Sequence, residues 1–129
     1  MKSYLADSNI FLRLFLQDNP KQSKESASYI SDAKDGKIEI VVSSEIIPEI
    51  EYVLRKVYKA SKGVVIEHLS GIIKTSYIKV EKRNIWIEAI NLYSNNNIDL
   101  IDALLYAEAK DQDLAVLSFD KDFKKIKIK

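Results

Sequence analysis

Carboxylates stand at four places in the sequence where a predicted strand ends or a predicted helix begins. Asp7 directly follows the first predicted strand, and Asp120 follows the last buried strand by three residues. Glu49 and Asp102 lie near the starts of two predicted helices. Because ligands of open parallel sheets bind beyond the carboxyl ends of the strands, we expect all four side chains to project towards one edge of the sheet.

Such a cluster would have a definite chemistry. Two carboxylates 4 Å apart repel by about 4 kcal/mol at an effective dielectric constant of 20, so four of them must bind a cation, pair with lysines or take up protons. Ligation by oxygen alone favours Mg²⁺ or Mn²⁺ over zinc or copper. Carboxylates that hold such metals in an open cleft are typical of enzymes that hydrolyse phosphodiester bonds.

Each carboxylate also has a purely structural interpretation, and spacing alone does not choose between the two. Asp7 can cap the helix that follows it. Asp102 can complement a helix dipole, and Asp120 falls in a turn, where Asp is common. Glu51, two residues after Glu49, is an alternative functional acid.

Composition narrows the classes of function. The chain has 129 residues and is expected to form one domain, 1–129. It has no cysteine and one histidine, His68, which excludes disulfides, thiolate nucleophiles, cysteine-based zinc modules and His-rich metal sites. The net charge of +1 excludes a chain that wraps nucleic acid by bulk charge. The N-terminal apolar stretch 10–16 contains Arg13 and is too short to span a membrane, so a cytoplasmic protein is expected.

Short apolar runs alternate with helical periods along the chain. Strands are predicted at 3–6, 38–42, 77–80 and 114–117, with a lysine-guarded edge strand at 126–129. Helices are predicted after Asn9, at about 21–33, after Ser44, and at about 63–73, 84–93 and 100–110. Strands separated by helices need crossover connections. We therefore predict an α/β/α sandwich with four or five short parallel strands.

Four blocks of sequence resemble one known family. Residues 5–13 (LADSNIFLR) resemble the opening of PIN-domain ribonucleases, and residues 46–54 (IIPEIEYVL) resemble their second block. Residues 98–105 (IDLIDALL) and 117–123 (LSFDKDF) resemble the third and the closing blocks. The blocks occur in the family's order over essentially the whole chain. Their style and the chain length are most similar to VapC-type toxins of toxin–antitoxin pairs.

This resemblance implies a PIN-like three-layer sandwich and a Mg²⁺- or Mn²⁺-dependent endoribonuclease. The metal ligands that it implies are Asp7, Glu49, Asp99, Asp102 and Asp120, of which all but Asp99 are taken as catalytic. Side chains that would support these ligands are Ser8, Asn9 and Ser118. A basic rim suffices for phosphate contacts, and Arg13 and Lys121 are favoured because they neighbour the acidic blocks. The implied partners are an RNA substrate, an antitoxin protein and a second copy of the chain.

Two other functions remain open. One is a non-catalytic PIN-like module that binds RNA or protein. The other is an aspartyl-phosphate phosphatase, which needs Asp-x-Asp after the first strand, whereas Asn9 occupies the second position here. His68 is interpreted as a surface residue, and the stripe of Trp86 and Tyr93 as core or a dimer face.

Overall fold

The computed structural model describes residues 1–119, in two units that divide after Glu81. The first unit contains β1 (Lys2–Leu5), α1 (Ser8–Leu16), α2 (Pro20–Lys34), β2 (Ile38–Val42), α3 (Ile46–Tyr52), a π-helical segment (Val53–Val57), α4 (Lys62–Ile73) and β3 (Ile78–Val80). The second unit contains α5 (Arg83–Asn95) and α6 (Leu100–Asp111). Across residues 1–119 no helix is long and apolar enough to cross a membrane. A single domain over 1–129 stays a prediction.

The first unit is built on a parallel sheet of order β1–β2–β3. Lys2 pairs with Ile38 at the start of β1, and the pairing continues beyond its end, where the Ala6 N–H donates to the Val41 carbonyl at 2.9 Å. The Glu81 N–H likewise donates to Val42 at 2.9 Å, after β3. The three strands therefore end at one edge of the sheet, and the predicted α/β class with a parallel sheet is confirmed.

The middle strand, β2, lies where its continuous β-branched sequence predicts it. Ile40 and Val42 are buried, whereas the residues that alternate with them are half-buried. Residues of the surrounding helices complete the core of this unit. Its largest fully buried side chains are Phe11, Ile47, Ile50, Leu54, Leu69, Ile73, Val42 and Val65.

The run Leu114–Leu117 forms no strand, so the sheet in residues 1–119 has three strands rather than the predicted four or five. The N–H of Leu114, the first residue of this run, takes part in the C-terminal turn of α6. Asp113 is left-handed (φ 56°), and the Leu114 N–H donates to the Ala109 carbonyl at 2.7 Å. A four-residue apolar run is compatible with a strand but does not supply backbone partners. The predicted edge strand 126–129 lies outside the described residues.

The helix predicted after Ser44 changes its geometry midway. It is α-helical up to Tyr52 and π-helical over Val53–Val57, where the Tyr58 N–H donates to the Val53 carbonyl at 3.2 Å. Each such bond spans five residues instead of four, so the segment takes in one more residue per turn.

The second unit is a helical pair. Trp86 and Ala89 on α5 and Ala103 on α6 are fully buried, as the apolar stripe of α5 predicts. Two ion pairs join the helices at their surface: Lys110 Nζ lies 3.0 Å from Glu88 Oε1, and Lys82 Nζ lies 3.4 Å from Glu108 Oε1.

Candidate active site

Asp7 occupies the position between β1 and α1. Its backbone is extended, at the N-cap of α1, but its side chain makes no capping hydrogen bond. Asn19 and Ser61 are different, since their side chains accept from Gln22 N at 3.1 Å and from Val64 N at 3.3 Å. The position of Asp7 allows its carboxylate to cap α1, but the structure shows no such hydrogen bond.

The side chains of Glu49 and Asp7 both contact the hydroxyl group of Ser8. Ser8 is only 3% exposed, and its Oγ lies 3.1 Å from Glu49 Oε1 and 3.4 Å from Asp7 Oδ1. A hydroxyl has one proton to donate, so it cannot fully satisfy both carboxylates at once. Two exposed acidic groups thus converge on a single buried donor at the edge where the strands end.

The two neighbouring acids of α3 have different surroundings. Glu51 is 6% exposed and is held by Arg55 in a two-pronged contact, with Nε 2.7 Å from Oε2 and Nη2 3.3 Å from Oε1. Glu49 is exposed and faces Ser8. A carboxylate that is buried in an ion pair is costly to release, so Glu49 is the more accessible of the two acids.

The second unit carries two further predicted ligands on one helix. Asp99 is the exposed N-cap residue of α6, and its side chain makes no capping hydrogen bond. Asp102 lies in the first turn and is half-buried. Asp99 has an extended backbone and precedes the helix, and Asp102 follows it by three residues, so both acids lie at the N-terminal end of α6.

The remaining predicted residues are less informative. Asn9 and Ser118 are exposed, whereas Asp120 and Lys121 lie outside the described residues. For the residues predicted as metal ligands, that role stays a prediction.

Arg13, predicted to contact RNA, is engaged within the protein. Its Nη1 lies 2.6 Å from Asp18 Oδ1, and Tyr58 donates its hydroxyl to Asp18 Oδ2 at 3.2 Å. The hydrogen bond from Arg13 lowers the pKa of Asp18, and the same bond raises the pKa of Arg13. RNA would therefore have to compete with Asp18 for this guanidinium.

The donor set fits a hard cation. The chain has no cysteine, and its one histidine, His68, is half-buried with its ring stacked on Phe15 at a centroid distance of 4.2 Å. Residues 1–119 contain no group of three His, Asp or Glu side chains close enough together to hold a metal ion. Mg²⁺ needs fewer, since one or two carboxylates, waters and substrate phosphates commonly complete its shell. The Asp7–Glu49 pair is compatible with such binding.

A cavity of about 250 Å³ adjoins Asp7. Its walls come from β1, β2 and the first two helices, and the lining residues are Tyr4, Leu5, Ala6, Asp7, Ile10, Tyr29, Ile38 and Ile40. Sequence reasoning missed the two tyrosines. Tyr4 lies on β1, three residues before Asp7, but no sequence signal brings Tyr29 of α2 beside it.

Comparison with known proteins agrees with this architecture. The sequence pattern of the PIN domain matches residues 4–129. A "VapC ribonuclease" of Aquifex aeolicus (strain VF5) is 27% identical over 126 residues, which cover 97% of this chain and 93% of that protein. The match to the PIN domain extends over almost the entire sequence, and the chain therefore belongs to the PIN domain family.

Proposed function

We propose that this protein is a metal-dependent endoribonuclease. The observation that carries the proposal is the convergence of Asp7 and Glu49 on the Ser8 hydroxyl, at the edge of the sheet where the parallel strands end. Membership of the PIN domain family and similarity to a VapC ribonuclease support it. Phosphodiester hydrolysis with carboxylate ligands is the chemistry that such a pair suits.

The cation would be Mg²⁺ or Mn²⁺. The residues proposed to hold it are Asp7, Glu49, Asp102 and Asp120, with Asp99 as an outer ligand. When bound, such a cation activates water and stabilises the negative charge that develops on the phosphate. The carboxylates contribute by fixing the position of the cation and by cancelling its charge in part.

Other side chains would orient these acids and the substrate. The Ser8 hydroxyl holds the Asp7 and Glu49 oxygens near one point, and with a cation bound it can donate to whichever oxygen is not a ligand. Asn9 and Ser118 are proposed to act in the same way. Arg13 and Lys121 are proposed to contact RNA phosphates, Arg13 by exchanging its partner Asp18 for a phosphate.

RNA cleavage by the purified full chain tests the proposal. We expect a structured RNA pool to be cut with Mn²⁺ or Mg²⁺ and left intact with EDTA. Asp7→Asn and Glu49→Gln are expected to abolish cleavage, whereas Glu25→Gln, an exposed acid of α2, serves as the matched control and keeps it.

The outcomes are distinct. Cleavage retained in both Asp7→Asn and Glu49→Gln would refute the role of the pair. Bound but uncut RNA in every metal condition would favour the non-catalytic PIN-like module.

We further propose that the protein is a cytoplasmic toxin that a cognate antitoxin protein inhibits, and that it forms a homodimer. The similarity to a VapC ribonuclease supports the first proposal. Expression of the chain alone and with the product of an adjacent small gene tests it, since growth arrest relieved by co-expression is the expected result. Light scattering of the purified protein tests the dimer, and a mass of one chain would exclude it.

A further inference from the structure

One carboxylate of the first unit is held at both of its oxygens by side chains that also suit phosphate. Arg13 donates to Asp18 Oδ1 at 2.6 Å, and the Tyr58 hydroxyl donates to Asp18 Oδ2 at 3.2 Å. A guanidinium and a hydroxyl can bind a phosphate in the same way, because a phosphodiester also presents two charged oxygens on one atom. Arg13 and Tyr58 therefore form an anion-binding site, and Asp18 occupies it.

Three elements of the first unit bring these side chains together. Arg13 lies in the last turn of α1, Asp18 lies in the link 17–19 before α2, and Tyr58 directly follows the π-helical segment. Gln17 shapes the link, since its backbone is left-handed (φ 52°) and its N–H donates to the Arg13 carbonyl at 3.2 Å. Because Asp18 belongs to the link, its side chain can rotate away from Arg13 while both helices keep their backbone hydrogen bonds.

The segment that contains Tyr58 is basic. Residues 52–66 include no acidic residue and four cationic side chains, which are Arg55, Lys56, Lys59 and Lys62. Asp18, 40 residues from Tyr58 in the sequence, adds a negative charge to this segment. Locally basic surroundings are what a phosphate contact needs, even in a chain whose net charge is only +1.

We propose that Arg13 and Tyr58 form a phosphate site for the backbone of the RNA substrate, and that Asp18 occupies this phosphate site in the free protein and thereby limits RNA affinity. The proposal rests on the proposed ribonuclease function and adds to it a second phosphate contact, Tyr58, and an internal competitor, Asp18. Arg13 is six residues after Asp7, about 9 Å along the axis of α1. The phosphate bound there therefore belongs to a nucleotide near the one that is cut.

The ion pair is of a kind that a ligand can displace. The side chains of Arg13 and Asp18 are both partly exposed, at 24% and 41%. Solvent screens such pairs, so they contribute little to stability, and the displaced carboxylate is hydrated again. On this basis the competition by Asp18 should weaken RNA binding by about two- to fivefold.

RNA binding by the full-length protein tests the proposal without requiring cleavage. A short fluorescein-labelled oligo(U) RNA is titrated in EDTA at several salt concentrations, and its anisotropy gives Kd. We expect Asp18→Asn to lower Kd by about two- to fivefold. Because Arg13 then neutralises a phosphate without first releasing Asp18, the slope of log Kd against log salt should steepen by about 0.7.

The matched control is Asp35→Asn, which makes the same change of side chain and of net charge. Asp35 directly follows α2, and the 15 residues of that helix span about 22 Å from its start beside Asp18. Charges that far apart are screened at about 0.15 M salt, where the Debye length is about 8 Å. Asp35→Asn should therefore leave both Kd and the salt slope as in the wild type.

Two double variants assign the gain to the phosphate site. Asp18→Asn should bring no gain in a protein that also carries Arg13→Gln, because the guanidinium that Asp18 blocks is then absent. Tyr58→Phe, added to Asp18→Asn, removes one hydrogen bond to the phosphate and should raise Kd by about two- to tenfold. Asp18→Ala removes the carboxylate without an amide in its place and should give the same gain as Asp18→Asn.

An ion pair with a purely structural role predicts a different result. Kd would then be unchanged or higher in Asp18→Asn and Asp18→Ala, and either result would overturn the proposal. An equal gain in Asp35→Asn would also overturn it, because bulk charge would then explain the effect. Urea denaturation of each variant verifies that the protein compared is folded.

The two proposals fail separately. Tighter RNA binding by Asp18→Asn, in a protein that cuts no RNA with Mn²⁺ or Mg²⁺, would refute the nuclease and keep the phosphate site. Cleavage by a protein in which Asp18→Asn changes neither Kd nor KM would refute the phosphate site alone. In a cleaving enzyme we expect Asp18→Asn to lower KM by about two- to fivefold and to leave kcat unchanged.

Discussion

Neutralising Asp7 and Glu49, singly and together, is expected to reveal a repulsion that a divalent cation reverses. The two carboxylates share the Ser8 hydroxyl, so their nearest oxygens are no farther apart than the sum of the two hydrogen-bond distances, 3.4 and 3.1 Å. At about 6 Å two unit charges repel by about 0.7 kcal/mol in water and about 2.8 kcal/mol at an effective dielectric constant of 20. Because both side chains are exposed, we expect about 0.5–1.5 kcal/mol in the folded protein.

A double-mutant cycle isolates this energy from the effect of each charge on its own helix. The free energy of unfolding is measured in urea for wild type, Asp7→Asn, Glu49→Gln and the double variant, in EDTA at low salt. Each single change removes the whole repulsion, so the double variant should be less stable than the two effects added together. At 1 M salt the Debye length falls to about 3 Å, and the coupling should shrink.

With Mn²⁺ the coupling should change sign. A cation at about 100 times its Kd stabilises the wild type by about 2.7 kcal/mol, and either single change would remove that gain. The double variant should then be more stable than additivity predicts. Additive effects in EDTA would refute the closeness of the two carboxylates, and a coupling of unchanged sign in Mn²⁺ would refute a shared cation. Glu25→Gln should leave both measurements as in the wild type.

Three further changes test interactions that stabilise each unit. Asp18 has a lowered pKa through its hydrogen bond with Arg13, so the stability advantage of wild type over Asp18→Asn should be present above its ordinary pKa of 3.8 and disappear as the pH falls below it. An unchanged difference across that range, in unfolding measured against pH, would contradict this reasoning. Arg55→Ala removes two hydrogen bonds from the buried Glu51 carboxylate and should cost about 1–3 kcal/mol in urea denaturation, and a loss near zero would argue against a stabilising pair. Trp86→Ala should cost about 3–5 kcal/mol because the ring is fully buried, and the same denaturation experiment would expose a smaller role.

Much of the sheet could be predicted because its signals are local. The β-branched run at 38–42 coincides with β2, and Asp7 follows β1 directly, as its position after a short apolar run indicates. The resemblance to the PIN domain was likewise visible in short blocks, and it is confirmed by the match over residues 4–129. Spacing within a strand or a helix turn is set by backbone geometry, so a single sequence carries it.

The features that could not be predicted depend on contacts between distant residues. Ser8 and Glu49 are 41 residues apart, and only the packed helices bring the hydroxyl to that carboxylate. The sequence shows that Glu51 and Arg55 are four residues apart, but it does not show that Glu51 is buried while Glu49 is exposed. The apolar run that begins at Leu114 predicts a strand, but the local hydrogen bond from Leu114 to Ala109 determines the backbone there.

The π-helical segment Val53–Val57 has a consequence for how protein length can vary in this family. A π-helical turn holds one residue more than an α-helical turn, so it can be regarded as an insertion that the helix absorbs without a loop. Deleting one residue there would let the backbone return to ordinary α-helical bonding, while the residues of α3 before Val53 keep their orientation. A relative shorter by one residue at this place can therefore keep α3 intact, with Glu49 at the same angle, and sequence alignments should place their gap there.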